Sequence, residues 1–119
     1  MEKSRNYKDL IVWQKSLKLV RLVYDLIKEF PKEELYGISS QMKRAAISIP
    51  SNIAEGSKRK TSKDFSHFLS MAYGSASELE TQIEIIKTLP FGSDCDYLPI
   101  ENLLVEIMKM LNTMIIKIR

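Results

Sequence analysis

The sequence predicts an all-α fold, an antiparallel up-down-up-down four-helix bundle formed by one domain over residues 1–119. Three observations predict it. Apolar residues recur at steps of three and four in four long segments, which is the period of a helix with one buried face. Gly and Pro number only four each, and they fall between those segments more than inside them. No segment alternates with period two over a useful length, so no strand is needed.

In the first segment Leu10, Trp13, Leu17, Val20, Tyr24 and Ile27 form the expected seam of a helix near 8–30, and Phe30-Pro31 ends it. The residue before a proline is driven out of the helical region. The second, near 37–58, carries Ile38, Met42, Ala45, Ile49, Asn52 and Gly56. The third, near 62–89, takes Thr61 or Ser62 as its N-cap and buries Leu69, Ala72, Ala76, Leu79, Ile83 and Ile86 before Leu89-Pro90-Phe91-Gly92 stops it. The fourth, near 97–118, uses Ile100, Leu104, Ile107, Leu111, Met114 and Ile118. Helices this long with short connections pack antiparallel. Helices one and four carry a second apolar stripe, Leu19, Leu22, Val23 and Leu26 on one and Leu103, Met108, Met110 and Ile115 on the other. Helices apolar over so much of their circumference are usually covered on two sides, so self-association is expected.

Composition excludes several classes. A chain of 119 residues can bury a core without staples, and the lone Cys95 rules out an internal disulfide or a Cys-cluster zinc site. The longest stretch free of Asp, Glu, Lys and Arg, Phe65 to Ser77, is thirteen residues. A membrane helix needs roughly 18. Met1-Glu2-Lys3-Ser4-Arg5-Asn6 has no apolar run after its charges, so no signal peptide and a cytoplasmic location are expected.

Helix two contains the run Gln41 to Gly56. Pro50 removes an amide and leaves the carbonyl of Ala46 without its helical partner, and Ser48 and Asn52 are near enough to compensate. Asn52 is expected to be a buried polar residue that fixes register. A turn near Lys58 to Lys60 sets residues whose numbers sum to about 119 side by side. Ala45 and Ala46 then face Ala72, Gly74 and Ser75, so close backbone approach would account for Gly74 in mid-helix. Arg44 falls near Glu78, and an ion pair is expected there.

The runs Phe30-Pro31-x-x-Glu34-x-Tyr36-Gly37, Gln41-x-x-Arg44-Ala45-Ala46-x-Ser48-Ile49-Pro50-x-Asn52-Ile53-Ala54-Glu55-Gly56 and Gly74-Ser75-x-x-Glu78-Leu79-Glu80-Thr81-Gln82, with Leu10-x-x-Trp13, resemble the 23S rRNA-intervening-sequence protein family. That family is named for reading frames within inserts of bacterial large-subunit rRNA genes and has a branch of accessory proteins of diversity-generating retroelements. The resemblance covers nearly the whole chain. It implies a bacterial four-helix bundle forming a ring-like homopentamer, with Arg44, Ser48, Pro50, Asn52, Glu55, Gly56, Gly74, Ser75 and Glu78 as structural motif residues. In the retroelement branch it implies binding of nucleic acid and a reverse transcriptase through a basic surface. Ile38 stands where Leu is usual after Gly37, and Lys43 where Arg is frequent.

The formal net charge is only +3, yet the first 60 residues hold 13 basic and 7 acidic side chains and the last 59 hold 5 and 8. An up-down-up-down chain brings the N-terminus, the 58–60 turn and the C-terminus to one end. Lys3, Arg5, Lys8, Lys58, Arg59, Lys60, Lys63, Lys117 and Arg119 gather there against Glu2, Asp9, Glu55 and Asp64, a net of +5. Lys28, Lys32 and Lys87 at the other end meet Glu29, Glu33, Glu34, Asp94, Asp96 and Glu101, a net of −3. The basic end is the expected RNA- or DNA-binding surface, and parallel subunits would align these ends on one rim. No aromatic is interleaved with Lys58-Arg59-Lys60, so base stacking is not expected.

Catalysis is not expected. A ferritin-like metal centre needs inward carboxylates and two carboxylate-x-x-His pairs, and the chain offers only Asp64-x-x-His67. Cys95 lies among acids that would raise its pKa, and Glu78 and Glu80 point to different helix faces. The sequence therefore reads as a non-enzymatic, oligomeric, nucleic-acid-associated bundle without metal or cofactor, or a scaffold for a protein partner such as a reverse transcriptase.

Overall fold

A computed structural model describes residues 6–118. Four α-helices run over α1 Ile11–Ile27, α2 Ile38–Ser57, α3 Ser62–Lys87 and α4 Leu98–Ile118, with single 3-10 turns at Tyr7–Asp9, Lys32–Glu34 and Pro90–Gly92. There is no strand among the described residues. Each helix packs on the next and α1 closes against α4, so the four make an elongated body of 51 × 22 × 20 Å.

The helix ends follow local chemistry. Helix α1 begins three residues later than the pattern suggests because Asn6 caps a separate 3-10 turn, accepting from the Lys8 amide at 3.0 Å, and Leu10 is extended. Its last turn closes at Lys28, and the chain reaches Pro31 through backbone bonds from Glu29 and Phe30. Thr61, with extended backbone, is the N-cap of α3, and its Oγ1 accepts from the Asp64 amide at 3.1 Å. Asp96 Oδ1 accepts from the Leu98 amide at the start of α4. The Tyr97 hydroxyl donates to the buried Gly92 carbonyl at 2.6 Å and ties that loop to the core.

The core is one cluster in which Leu19, Met42, Ile49, Ile53, Leu69, Leu79, Ile83, Leu104, Ile107 and Leu111 are fully enclosed. Each such side chain contributes about 1.5–3 kcal/mol relative to exposure. Helix α1 corrects the sequence reading. Its inward face is Val12, Ser16, Leu19, Val23 and Leu26, which contains most of the stripe assigned to a second surface. Of the expected seam, only Ile27 is buried, while Leu17 and Tyr24 remain 44% and 36% exposed. Ser16 is tolerated inside because its hydroxyl donates to the Trp13 carbonyl at 2.6 Å. An ion pair of Lys15 with Glu106 at 2.8 Å links α1 to α4 at the surface and is worth at most about 1 kcal/mol.

Helix α2 runs unbroken through Pro50, which is buried. Asn52 is half-buried rather than buried, and its amide donates to the Ser48 carbonyl at 2.9 Å, not to that of Ala46. The close helix approach occurs at Gly56, where a Cβ would lie 2.6 Å from Phe68 Cβ. Gly74 corrects its expectation: it is exposed, and a Cβ there would meet nothing within 4 Å. Arg44 and Glu78 are both exposed and form no ion pair, since Glu78 instead accepts from the Gln82 amide at 3.3 Å.

Candidate nucleic-acid interface

The turn between α2 and α3 is short because both flanking helices are capped hard against it. Backbone amides of Lys58 and Arg59 return to the carbonyls of Glu55 and Gly56 at 3.3 and 3.0 Å, and Thr61 then starts α3. Gly56 lets α2 sit on Phe65 and Phe68 at this level, so Lys58, Arg59 and Lys60 are all forced outward into solvent. Lys8 comes alongside from the N-terminal 3-10 turn, held by Asn6 and by Gln14 Nε2 donating to its carbonyl at 2.9 Å. Lys63 follows in the first turn of α3, and Lys117 closes the last turn of α4. Of the expected binding residues, Lys3, Arg5 and Arg119 lie outside the described residues.

Aromatic rings underlie these cations, although none is interleaved with Lys58-Arg59-Lys60 along the chain. The Tyr7 ring lies beneath Lys58 Nζ at 5.3 Å and Lys8 Nζ at 6.0 Å, and Trp13 braces it edge-on at 5.2 Å. Phe68 lies beneath the Arg59 guanidinium at 4.7 Å, while Glu55 pairs with the same guanidinium at 2.5 Å. Such contacts hold a cation in place without cancelling its charge. Lys60, Lys63 and Lys117 make no ion pair among the described residues. The C-termini of α2 and α4 reach the same end, and their partial negative charge stabilises neighbouring cations by about 0.3–1 kcal/mol each.

Between α3 and α4, beside the cations, a cavity of about 480 Å³ is lined by Ser62, Lys63, Ser66, His67, Ser70 and Ile118. Three hydroxyls, an imidazole and an ammonium in one concavity are donors suited to phosphate oxygens. Sequence reading passed over this groove, although serines at 62, 66 and 70 recur at a helical repeat. His67 is exposed, packs edge-on to Phe68 and has no second ligand, so the Asp64-x-x-His67 spacing yields no metal-binding group of three among the described residues.

The motif residues do not form one site. Glu55 and Gly56 shape the basic end, whereas Arg44, Ser48, Ser75 and Glu78 lie about 12–24 Å farther along the bundle at 1.5 Å per residue. The groups with displaced protonation are at the opposite end. Burial pushes the Cys95 thiol up, with Glu29 and Asp94 adding to it. Burial likewise pushes the Tyr97 hydroxyl well up, and the Glu101 and Glu84 carboxylates beside Lys87 raise its ammonium. The acidic end thus neutralises Lys87 within the chain.

Fold and charge together define a small four-helix protein polarised along its long axis, with one end built of outward cations. The chain belongs to the 23S rRNA-intervening sequence protein family, whose model matches residues 8–113. A crystal structure of a protein of unknown function from the S23 ribosomal protein family of Bacteroides thetaiotaomicron is similar to it, with a TM-score of 0.80 and 28% identity over 88% of this chain and 98% of that one. No curated protein matches the chain. No helix of the described residues is long and apolar enough to cross a membrane.

Proposed function

We propose that the protein is a non-enzymatic, self-associating cytoplasmic bundle that holds RNA against its basic end. The observation that carries this reading is the outward set Lys8, Lys58, Lys60, Lys63 and Lys117, which no carboxylate of the described chain neutralises. The braced aromatics carry the cations from beneath, so contacts go to phosphates and sequence selectivity is low. Five phosphate contacts on a single strand would give a slope of about −3.5 in log affinity against log salt, and assembly into a ring would multiply it. A fluorescent hairpin or single-stranded RNA titrated from about 50 to 200 mM salt tests this. Absence of binding at the low-salt end, or binding unchanged in the K58E/R59E/K60E variant, would overturn it. In that event the scaffold reading, a protein partner on the apolar side of the bundle, takes its place.

A further inference from the structure

Where α1 gives way to α2, at the end of the bundle away from Lys58 and Lys60, a cavity of about 290 Å³ opens to solvent. Its floor is apolar and consists of Ile27, Phe30, Pro31 and Leu35. That floor is held in place from both sides. Phe30 is buried and its ring meets Phe91 edge-on at 5.1 Å, while the backbone amides of Glu34 and Leu35 return to the Pro31 and Lys32 carbonyls at 3.0 Å each.

The wall carries three cations, Lys28, Lys32 and Lys43, and no carboxylate. Lys43 Nζ is held 5.0 Å from the Tyr24 ring, a contact that leaves its charge intact. Lys28 meets Asp25 at 3.8 Å with both side chains more than half exposed, and Asp25 borders a neighbouring cavity rather than this one. Lys32 makes no ion pair among the described residues. Glu29, Glu33 and Glu34 make this end acidic as a whole, yet none of them lines the cavity. Three like charges around one concavity repel one another, and an anion between them relieves that repulsion.

A buried hydroxyl borders the same space. Ser39, in the first turn of α2, is 2% exposed and lines the cavity. Buried serines in helices commonly donate to a carbonyl of their own helix, and Ser16 and Ser57 do so here at 2.6 and 2.9 Å. The Ser39 hydroxyl makes no such bond, nor one to any other described residue. A buried donor left unpaired costs stability that a bound acceptor restores.

We infer that this cavity is a binding site for a small organic anion. The apolar body of the ligand lies on the floor of Phe30, Pro31 and Leu35, the lysines take its one carboxylate or phosphate group, and Ser39 donates to that group. At ~30 Å³ per heavy atom, the share of a water molecule in the liquid, the cavity holds about ten non-hydrogen atoms. The lysine ammoniums are point charges and accept either head group. The site is independent of RNA binding, since it shares no residue with the basic end.

Isothermal titration calorimetry of the purified full chain with octanoate, octyl phosphate and 1-octanol tests it. At least one of the two anions is expected to bind with a Kd of about 0.1–1 mM, the tighter one naming the head group, and 1-octanol at least about tenfold more weakly. K28Q/K43Q and S39A are each expected to bind that anion about tenfold more weakly, with helical circular dichroism retained. K18Q/K109Q, which removes the same charge from exposed positions outside the cavity, is expected to match wild type. No binding of either anion up to about 10 mM, 1-octanol as tight as the anions, or unchanged affinity in K28Q/K43Q or in S39A would overturn the site. An equal loss in K18Q/K109Q would overturn it as well, by reducing the binding to general attraction toward a basic chain.

Discussion

Two glycines in helices have opposite surroundings, and replacing each by alanine separates packing from propensity. At Gly56 the new methyl would lie 2.6 Å from Phe68 Cβ, 3.0 Å from Phe65 Cδ1 and 3.3 Å from the Phe65 carbonyl oxygen. Carbon atoms pack best at about 3.5–4.0 Å, so α2 and α3 must part by about 1 Å where the turn holds them together. Phe68 Cβ is fixed to its backbone and cannot swing aside. Overpacking of this kind costs about 1–3 kcal/mol. Helix propensity returns at most about 1 kcal/mol, and less at a position one residue from the helix end. G56A is therefore expected to lose about 1–2 kcal/mol. At Gly74 the methyl meets nothing within 4 Å, so G74A gains about 0.5–1 kcal/mol from propensity alone. Unfolding entropy near 2.1 cal/mol/K per residue makes 1 kcal/mol worth about 4 °C in a chain of this length. Thermal unfolding followed by circular dichroism, at one fixed protein concentration, should show G56A about 4–8 °C below wild type and G74A about 2–4 °C above it. G56A as stable as wild type would refute the close approach, and G74A less stable would refute the open surroundings of Gly74.

The remaining predictions concern the far loop and the phase of α1. The folded chain holds protons on Tyr97 and Cys95 above their ordinary pKa values of 10.0 and 9.0, so the unfolded chain releases them first and this contribution, complete below about pH 9, is lost as pH rises further. Urea unfolding should thus show a decline between about pH 9 and 11 that Y97F flattens, while Y97F costs about 1–3 kcal/mol at pH 8 by leaving the buried Gly92 carbonyl unpaired; an equal decline in both proteins would sink the assignment. Leu19 is fully enclosed and Leu17 is 44% exposed, so L19A should cost about 2.7–5 kcal/mol. L17A should stay within about 0.5 kcal/mol of wild type, and the reverse order would restore the seam that the sequence suggests.

Helix ends were legible because their causes are local. Phe30-Pro31, Leu89-Pro90 and Thr61 act within a few residues of chain, and the structure ends or begins a helix within three residues of each expected boundary. The early start assigned to α1 failed for an equally local reason, since Asn6 caps a 3-10 turn that consumes Tyr7 to Asp9. Asparagine before a polar triplet was the available signal. The aromatic bracing of the basic end was not legible, because Tyr7, backed by Trp13, reaches Lys58 and Phe68 reaches Arg59 across the fold.

What else separates success from failure is direction in the bundle. A residue's level along the axis depends only on chain direction and a rise of 1.5 Å, so the clustering of cations at one end and the meeting of Gly56 with Phe65 and Phe68 follow from the turn at 58–60. A residue's angle around its helix axis is different. On α1 the stripes Leu17, Val20, Tyr24 and Leu19, Val23, Leu26 both satisfy helical spacing, and only packing by α2 and α4 selects the second. Arg44 and Glu78 fail in the same way, at a matched level but on outward faces, as does Gly74. Level, which chain direction determines, is what gathers Lys58, Lys60, Lys63 and Lys117 at one end whatever the angle of each helix about its own axis.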